Sequence, residues 1–213
     1  MIMRHVARYV AACCFVAAGA ASAQCITPAF GTPGSTAAPA FPAWVGTEDV
    51  NRDGRADLLV TTQTGGQLSV RFGSGNGSFQ AATLYSTGGG ARWVGTGDFN
   101  GDSWVDLAVA NTDVNTVSIL LNNQAGGFTS GGTLASTSYP RAVCVADLNN
   151  DGKNDLAVAN EFSGNVSVFL GNGDGTFLPR TTWGVGSFPR CVVAADFNRD
   201  GTLDLAVANS ASS

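Results

Sequence analysis

The sequence predicts an all-β chain built as the blades of a β-propeller, and three observations predict it. A nine-residue pattern of Asp, Asn and Gly begins at Asp49, Asp98, Asp147 and Asp196, a strict period of 49 residues. A period that regular marks one structural unit repeated in space. Each pattern runs straight into a short apolar stretch such as Leu156-Ala157-Val158-Ala159, and beyond the first two dozen residues no helical periodicity appears.

In chain order, Arg4 and Arg8 precede the apolar core Tyr9 to Ala20 and the cleavage pattern Ala21-Ser22-Ala23. Residues 1–23 are therefore expected to be a Sec-type signal peptide, with a secreted or periplasmic product starting at Gln24. No later stretch approaches the roughly 20 apolar residues that a membrane span needs. Cleavage leaves Cys25, Cys144 and Cys191, so Cys144 and Cys191 are open to two readings, a disulfide between neighbouring units or buried thiols. The one His, His5, leaves with the signal, which excludes His-based triads and imidazole zinc sites.

The repeats occupy residues 24–213. Phe30, Phe79, Phe128 and Phe177 are in register, and the Pro/Ala/Gly-rich segment before Trp44 is read through Phe30 as the outer strand of an incomplete first blade. In the second unit, strands are expected over Arg92 to Gly97, Asp106 to Ala110 and Val117 to Leu121, with a fourth opening at Phe128. Leu107 and Val109 face one way and Ala108 and Ala110 the other. Both faces being apolar or small, each sheet must be covered on both sides, as stacked four-stranded antiparallel blades are. The turns Gly73-Ser74-Gly75-Asn76-Gly77 and Gly171-Asn172-Gly173-Asp174-Gly175 carry residues that tolerate φ > 0. From Phe30 to Ser213 the chain is shorter than four 49-residue units, and the deficit falls at the last blade's third strand. An open arc of about three and a half blades is expected, able to self-associate through its unpaired edge or to be part of a longer propeller.

The loops carry the chemistry. Carboxylates or amides at positions 1, 3, 5 and 9, with Gly at position 6, suit a hard cation that wants six to eight oxygens, and calcium is the natural occupant. Twelve of the 16 acidic residues lie in these loops. Against the nine basic residues left once Arg4 and Arg8 are gone from the 11, the net charge is about −7, which bound divalent cations would cancel. No basic stripe for nucleic acid is present.

The pattern D-h-N-x-D-G-x-x-D-L-x-V-A-N of units three and four, followed in unit three by V-S-V-F-L-G-N-G-D-G-T-F, resembles the FG-GAP/VCBS repeat of bacterial secreted proteins, related to the integrin alpha-chain propeller. The resemblance covers nearly all of the chain after the signal and implies calcium in the loop between the first two strands of each blade. Carried over by position, the ligands would be Asp49, Asn51, Asp53 and Asp57; Asp98, Asn100, Asp102 and Asp106; Asp147, Asn149, Asp151 and Asp155; and Asp196, Asn198, Asp200 and Asp204. Backbone carbonyls of Arg55, Trp104, Lys153 and Thr202 would complete up to four Ca²⁺ sites. An EF-hand would want a bidentate Glu at position 12, where these units place Val60, Val109, Val158 and Val207. In unit two Ser103 replaces the loop Gly, so its site is expected to be the weakest.

Arg92, Arg141 and Arg190 are also in register, at the far end of the first strand from the loop, with Asp113 and Glu161 expected on the same side. They read either as partners of neighbouring turns or as a ring of guanidinium groups at a ligand-binding mouth. Trp44 and Trp93 read as core or as sugar platforms. The function expected is binding or adhesion to a protein or glycan, with calcium structural and no catalysis. The alternatives are a segment of a carbohydrate-active enzyme and a truncated inactive copy. Only Glu48, Asp113, Glu161 and Asp174 lie outside the loops; Glu161 and Asp174 share the third unit but fall in different turns, so paired-carboxylate chemistry has no support within a blade.

Overall fold

The computed structural model describes residues 41–211; the predicted signal peptide, Cys25 and the Phe30 strand lie outside the described residues. Among these, all regular structure is β. Blade 1 holds β1 (Pro42–Glu48), β2 (Asp57–Thr62), β3 (Gln67–Arg71) and β4 (Thr83–Ser86), hydrogen-bonded in that order. Blade 2 repeats this with β5 (Ala91–Gly97), β6 (Asp106–Asn111), β7 (Thr116–Asn122) and β8 (Phe128–Ala135), and blade 3 with β9 (Pro140–Ala146), β10 (Asp155–Asn160), β11 (Asn165–Phe169) and β12 (Thr181–Gly184). Blade 4 consists of β13 (Pro189–Ala195) and β14 (Asp204–Asn209). Every pairing is antiparallel, and the sheets do not close into a barrel. This is an open propeller of about three and a half blades.

The alternation read from unit two sets how the blades pack. Leu107 and Val109 of β6 meet Leu59, Leu68 and Val70 of blade 1, while Ala108 and Ala110 meet Val143, Leu156 and Val158 of blade 3. A third cluster joins Ala157, Ala159 and Val166 to Val192, Leu205 and Val207 of blade 4. Each fully buried Leu or Val contributes about 1.5–3 kcal/mol, so these interfaces hold the arc together. Trp44 and Trp93 belong to this packing, half-buried with ring centres 5.9 Å apart. Cys144 and Cys191 lie half-buried on β9 and β13.

The fourth strands are less uniform than the spacing suggests. Phe128 opens β8 as expected, but Phe79 and Phe177 make only isolated bridges to Gly73 and Gly171, and the outer strands there begin at Thr83 and Thr181. In blade 3 Pro179, which has no N–H to offer a ladder, stands between the bridge and the strand. Blade 2 carries its ladder through by a bulge between Ile119 and Leu120, where Gly132 takes φ of 108°.

Candidate functional site: the acidic loops and the arginine-aromatic edge

The four loops fold alike. In loops 1, 3 and 4 the N–H of position 5 is shared between position 1 and position 3: Asp53 N donates to Asp49 Oδ1 at 3.1 Å and Asn51 Oδ1 at 3.0 Å, and Asp151 N to Asp147 Oδ1 and Asn149 Oδ1, both at 3.0 Å; in loop 2 Asp102 N donates to Asn100 Oδ1 alone, and Asp98 Oδ1 accepts from Asn100 and Gly101. The N–H of position 7 donates to position 5, from Arg55, Trp104, Lys153 and Thr202 to Asp53, Asp102, Asp151 and Asp200 at 2.8–2.9 Å. The N–H of position 6 donates to the second oxygen of position 1, from Gly54, Ser103, Gly152 and Gly201 at 2.7–3.0 Å. Positions 1, 3 and 5 are thus drawn around one turn of backbone.

Position 9 does something that the spacing did not reveal. Asp57, Asp106 and Asp155 are fully buried, and each clamps two distant backbone N–H groups. Asp106 accepts from Phe99 in its own loop and from Asn122 at the end of β7, both at 2.8 Å; Asp57 accepts from Val50 and Gly73, and Asp155 from Leu148 and Gly171. Burial pushes all three carboxyls above the ordinary Asp range, the two N–H bonds oppose it, and the carboxylates at positions 5 and 1 push further upward. Asp102 is held below that range although burial opposes it, because the Trp104 N–H, Gln124 and Asn100 all donate to it.

Among the described residues no three carboxylates converge on one point, so the loops are held by their own N–H groups. The donor set nevertheless fits a hard cation: it is all oxygen, positions 1, 3 and 5 surround one N–H, and positions 1 and 5 repel position 9. Carboxylate oxygens that accept one N–H keep a lone pair for a metal.

Ser103 takes the left-handed conformation expected of it, with φ of 68°. The loops have a second left-handed position, however, at position 4: Arg52 (58°), Gly101 (76°), Asn150 (60°) and Arg199 (64°). Loop 2 keeps its glycine there. Each loop therefore carries one glycine and one other residue at its two left-handed positions, and the strain assigned above to loop 2 alone is shared by all four. Such strain is worth about 1 kcal/mol. Ser103→Gly is expected to raise the melting temperature by about 2–4 °C, and Arg199→Gly by a similar amount. Calorimetry in which only Ser103→Gly stabilises would restore loop 2 as the exception.

Neighbouring loops are tied together. The Arg52 guanidinium donates to the Ser103 carbonyl and lies 4.7 Å from the Trp104 ring centre; Asn154 Nδ2 donates to the Asp98 carbonyl at 2.9 Å, and Asn150 Nδ2 to the Gly201 carbonyl at 3.2 Å.

The opposite edge holds the arginines. Each first strand opens with a bulge that skips one residue, and the skipped residues are Ala43, Arg92, Arg141 and Arg190. A bulge re-aims the side chain it carries. Two residues earlier stand Phe41, Gly90, Tyr139 and Phe188, in register and all left-handed at 55–72°, a conformation that costs bulky residues dear and clusters at functional sites. Glu161, 5% exposed, accepts from Arg141 at 2.6 Å and Arg190 at 3.0 Å, so these two pair with a turn. Arg92 meets no carboxylate among its described contacts; it donates to Tyr139 Oη at 3.4 Å and lies 5.9 Å over that ring. Tyr139 stacks on Phe162 at 4.3 Å, and Phe162 meets Phe188 edge-on at 6.3 Å. Phe162 is 60% exposed and Phe188 43%. Asp113 lies apart from this cluster, lining an open cleft of about 660 Å³ with Gln63, Gly66 and Gly89.

A family model described as FG-GAP-like repeat matches residues 49–109, 98–158 and 147–207, each match beginning at a position-1 Asp. No curated protein matches the sequence. Among solved structures the chain is similar to BBS1N, crystallised in complex with ARL6DN, with 16% identity and a TM-score of 0.57 over 80% of this chain and 51% of that one. The chain thus spans about half the length of that relative. It is also similar to the V. cholerae biofilm matrix protein Bap1, with 18% identity and a TM-score of 0.46 over 78% of this chain and 28% of that one.

Proposed function

Because the chain belongs to the FG-GAP-like repeat family, we propose that it is an exported, non-catalytic binding module that meets a protein or glycan at its arginine-aromatic edge, with calcium holding the opposite loops. One observation carries the reading: in-register left-handed aromatics and bulged arginines converge on Arg92, Tyr139, Phe162 and Phe188. The cost of these conformations buys little burial, since Phe41 and Phe188 are exposed and Tyr139 is only half-buried. Exposed rings beside a cation suit the apolar face of a sugar or an aromatic side chain, and the unneutralised Arg92 suits an acidic group on the same ligand. Burial and the nearby Arg141 lower the Arg92 pKa from its ordinary value, so an anion seated there would relieve a partly desolvated charge. Glu161 serves as the support that aims two guanidinium groups and stays out of any acid-base role.

In the proposed role the loops would hold calcium through positions 1, 3, 5 and 9 and the carbonyl of position 7. The ion would neutralise carboxylates that the fold has gathered, and the edge residues would bind the ligand without chemistry. Probing immobilised glycans and extracellular proteins with the purified chain should give a set of binders. Arg92→Ala and Phe162→Ala should each weaken them about tenfold or more, as central anchors do. Binders indifferent to both changes would place recognition elsewhere.

A further inference from the structure

Blades 2 and 3 repeat one backbone arrangement ahead of their first strands but fill it differently. In blade 3 the Glu161 N–H donates to the Tyr139 carbonyl at 2.9 Å and the Phe162 N–H to that of Ser138 at 3.3 Å, and the Tyr139 and Phe162 rings stack with centres 4.3 Å apart. One repeat earlier the same pair of bonds runs from Thr112 to Gly90 and from Asp113 to Gly89, at 3.0 and 3.2 Å. A glycine and a carboxylate thus stand in blade 2 where blade 3 stacks two rings. Asn115, whose Oδ1 accepts the Tyr139 N–H at 2.8 Å, likewise has Gly66 as its counterpart in blade 1.

What these replacements leave is the open cleft of about 660 Å³ between blades 1 and 2, within the range of about 300–1,000 Å³ usual for small-molecule sites. Its walls are backbone, and they are tied. The Thr87 N–H and hydroxyl both donate to the Gly66 carbonyl, at 2.9 and 3.1 Å, and the Thr112 hydroxyl donates to that of Gly90 at 3.0 Å. Side chains have no room on these walls: a Cβ on Gly66 would collide with the Gly88 carbonyl, and one on Gly90 would stand 2.6 Å from Asp113 Cγ. Gln63, Thr64, Ser86 and Asp113 supply polar groups at the rim. No Lys or Arg lines the cleft, and Asp113 forms no ion pair among the described residues.

We propose that this cleft binds one neutral sugar ring of a glycan. The space is the one left by a missing stack of rings. Its lining joins a carboxylate that only accepts to an amide and two hydroxyls that both donate and accept, which matches neighbouring hydroxyls on a pyranose. With no cation beside it, Asp113 turns acidic ligands away. Walls fixed before the ligand arrives spare it the cost of ordering them.

The test titrates the 213-residue chain, by saturation-transfer NMR, with the methyl glycosides of glucose, galactose, mannose and N-acetylglucosamine, and uses those of glucuronic and galacturonic acid as competitors. At least one neutral glycoside should bind saturably in the millimolar range, as a single ring in an open cleft does, and neither uronic acid should displace it. Asp113→Ala should weaken it about tenfold, the loss expected of hydrogen bonds to a charged group, with the melting temperature little changed because Asp113 is exposed. Gln63→Ala, which keeps the charge, should weaken it about fivefold. Asp113→Asn, which keeps an acceptor and drops the charge, should recover part of the loss and let the uronic acids compete. No saturable neutral binding, binding that survives Asp113→Ala, or displacement by a uronic acid from the unaltered chain overturns the proposal. Arg92 and the exposed rings line no part of this cleft, so either site can fail without the other.

Discussion

Chelation is expected to lower the melting temperature by about 10–20 °C. In each loop a bound ion would leave one net negative charge where three stand. Extracellular calcium modules bind at roughly 10⁻⁴–10⁻³ M; with free calcium about tenfold above the dissociation constant, linkage gives about 1.4 kcal/mol per site, or about 5–6 kcal/mol for four. For a chain of this size each kcal/mol moves the midpoint by about 2–4 °C. Magnesium should substitute poorly because it demands a tight octahedron, and Asp151→Ala should remove about a quarter of the shift. A melting curve that ignores chelator, on protein shown to be metal-free, would reduce the loops to turns.

Asp106→Asn should cost about 3–5 kcal/mol, and should do so with or without calcium. The buried carboxylate receives N–H groups from two sides; an amide of the same shape presents a donor to one of them and strands a buried N–H. Asp204→Asn is the internal control, because Asp204 clamps one N–H and is only partly buried, so its cost should be about half or less. Urea denaturation in chelator measures both. If Asp106→Asn were silent without calcium, position 9 would be a ligand alone rather than a clamp between loop and third strand.

Period and alternation were both legible in the residues. The 49-residue repeat gave the blades, and Leu107 and Val109 against Ala108 and Ala110 gave the faces that each blade turns to its neighbours. The clamp at position 9 was not legible, because a carboxylate that binds backbone and one that binds metal occupy the same place in the pattern. The left-handed residues were hidden for a different reason: Gly and Asn ordinarily signal φ > 0, and Arg52, Arg199, Phe41, Tyr139 and Phe188 do not. A signal did exist, in Gly90 aligned with three aromatics and in Gly101 and Asn150 aligned with two arginines. The bulges at Arg92, Arg141 and Arg190 left no trace in the periodicity, since strands covered on both faces tolerate a shift of one residue without exposing an apolar row.

The apolar faces also give the stack a direction. Blades 2, 3 and 4 turn Leu and Val towards the blade before them, and blades 2 and 3 turn Ala and Ala towards the blade after, so that at these later joints large side chains meet small ones. Two copies related by a two-fold axis would set like faces together, large on large or small on small; only head-to-tail placement brings unlike faces into contact. Insertion or loss of a whole 49-residue unit at such a joint leaves the remaining joints as complementary as before, because each blade touches only its neighbours. The number of blades is therefore free to drift by duplication and deletion, while the polarity of the stack is not.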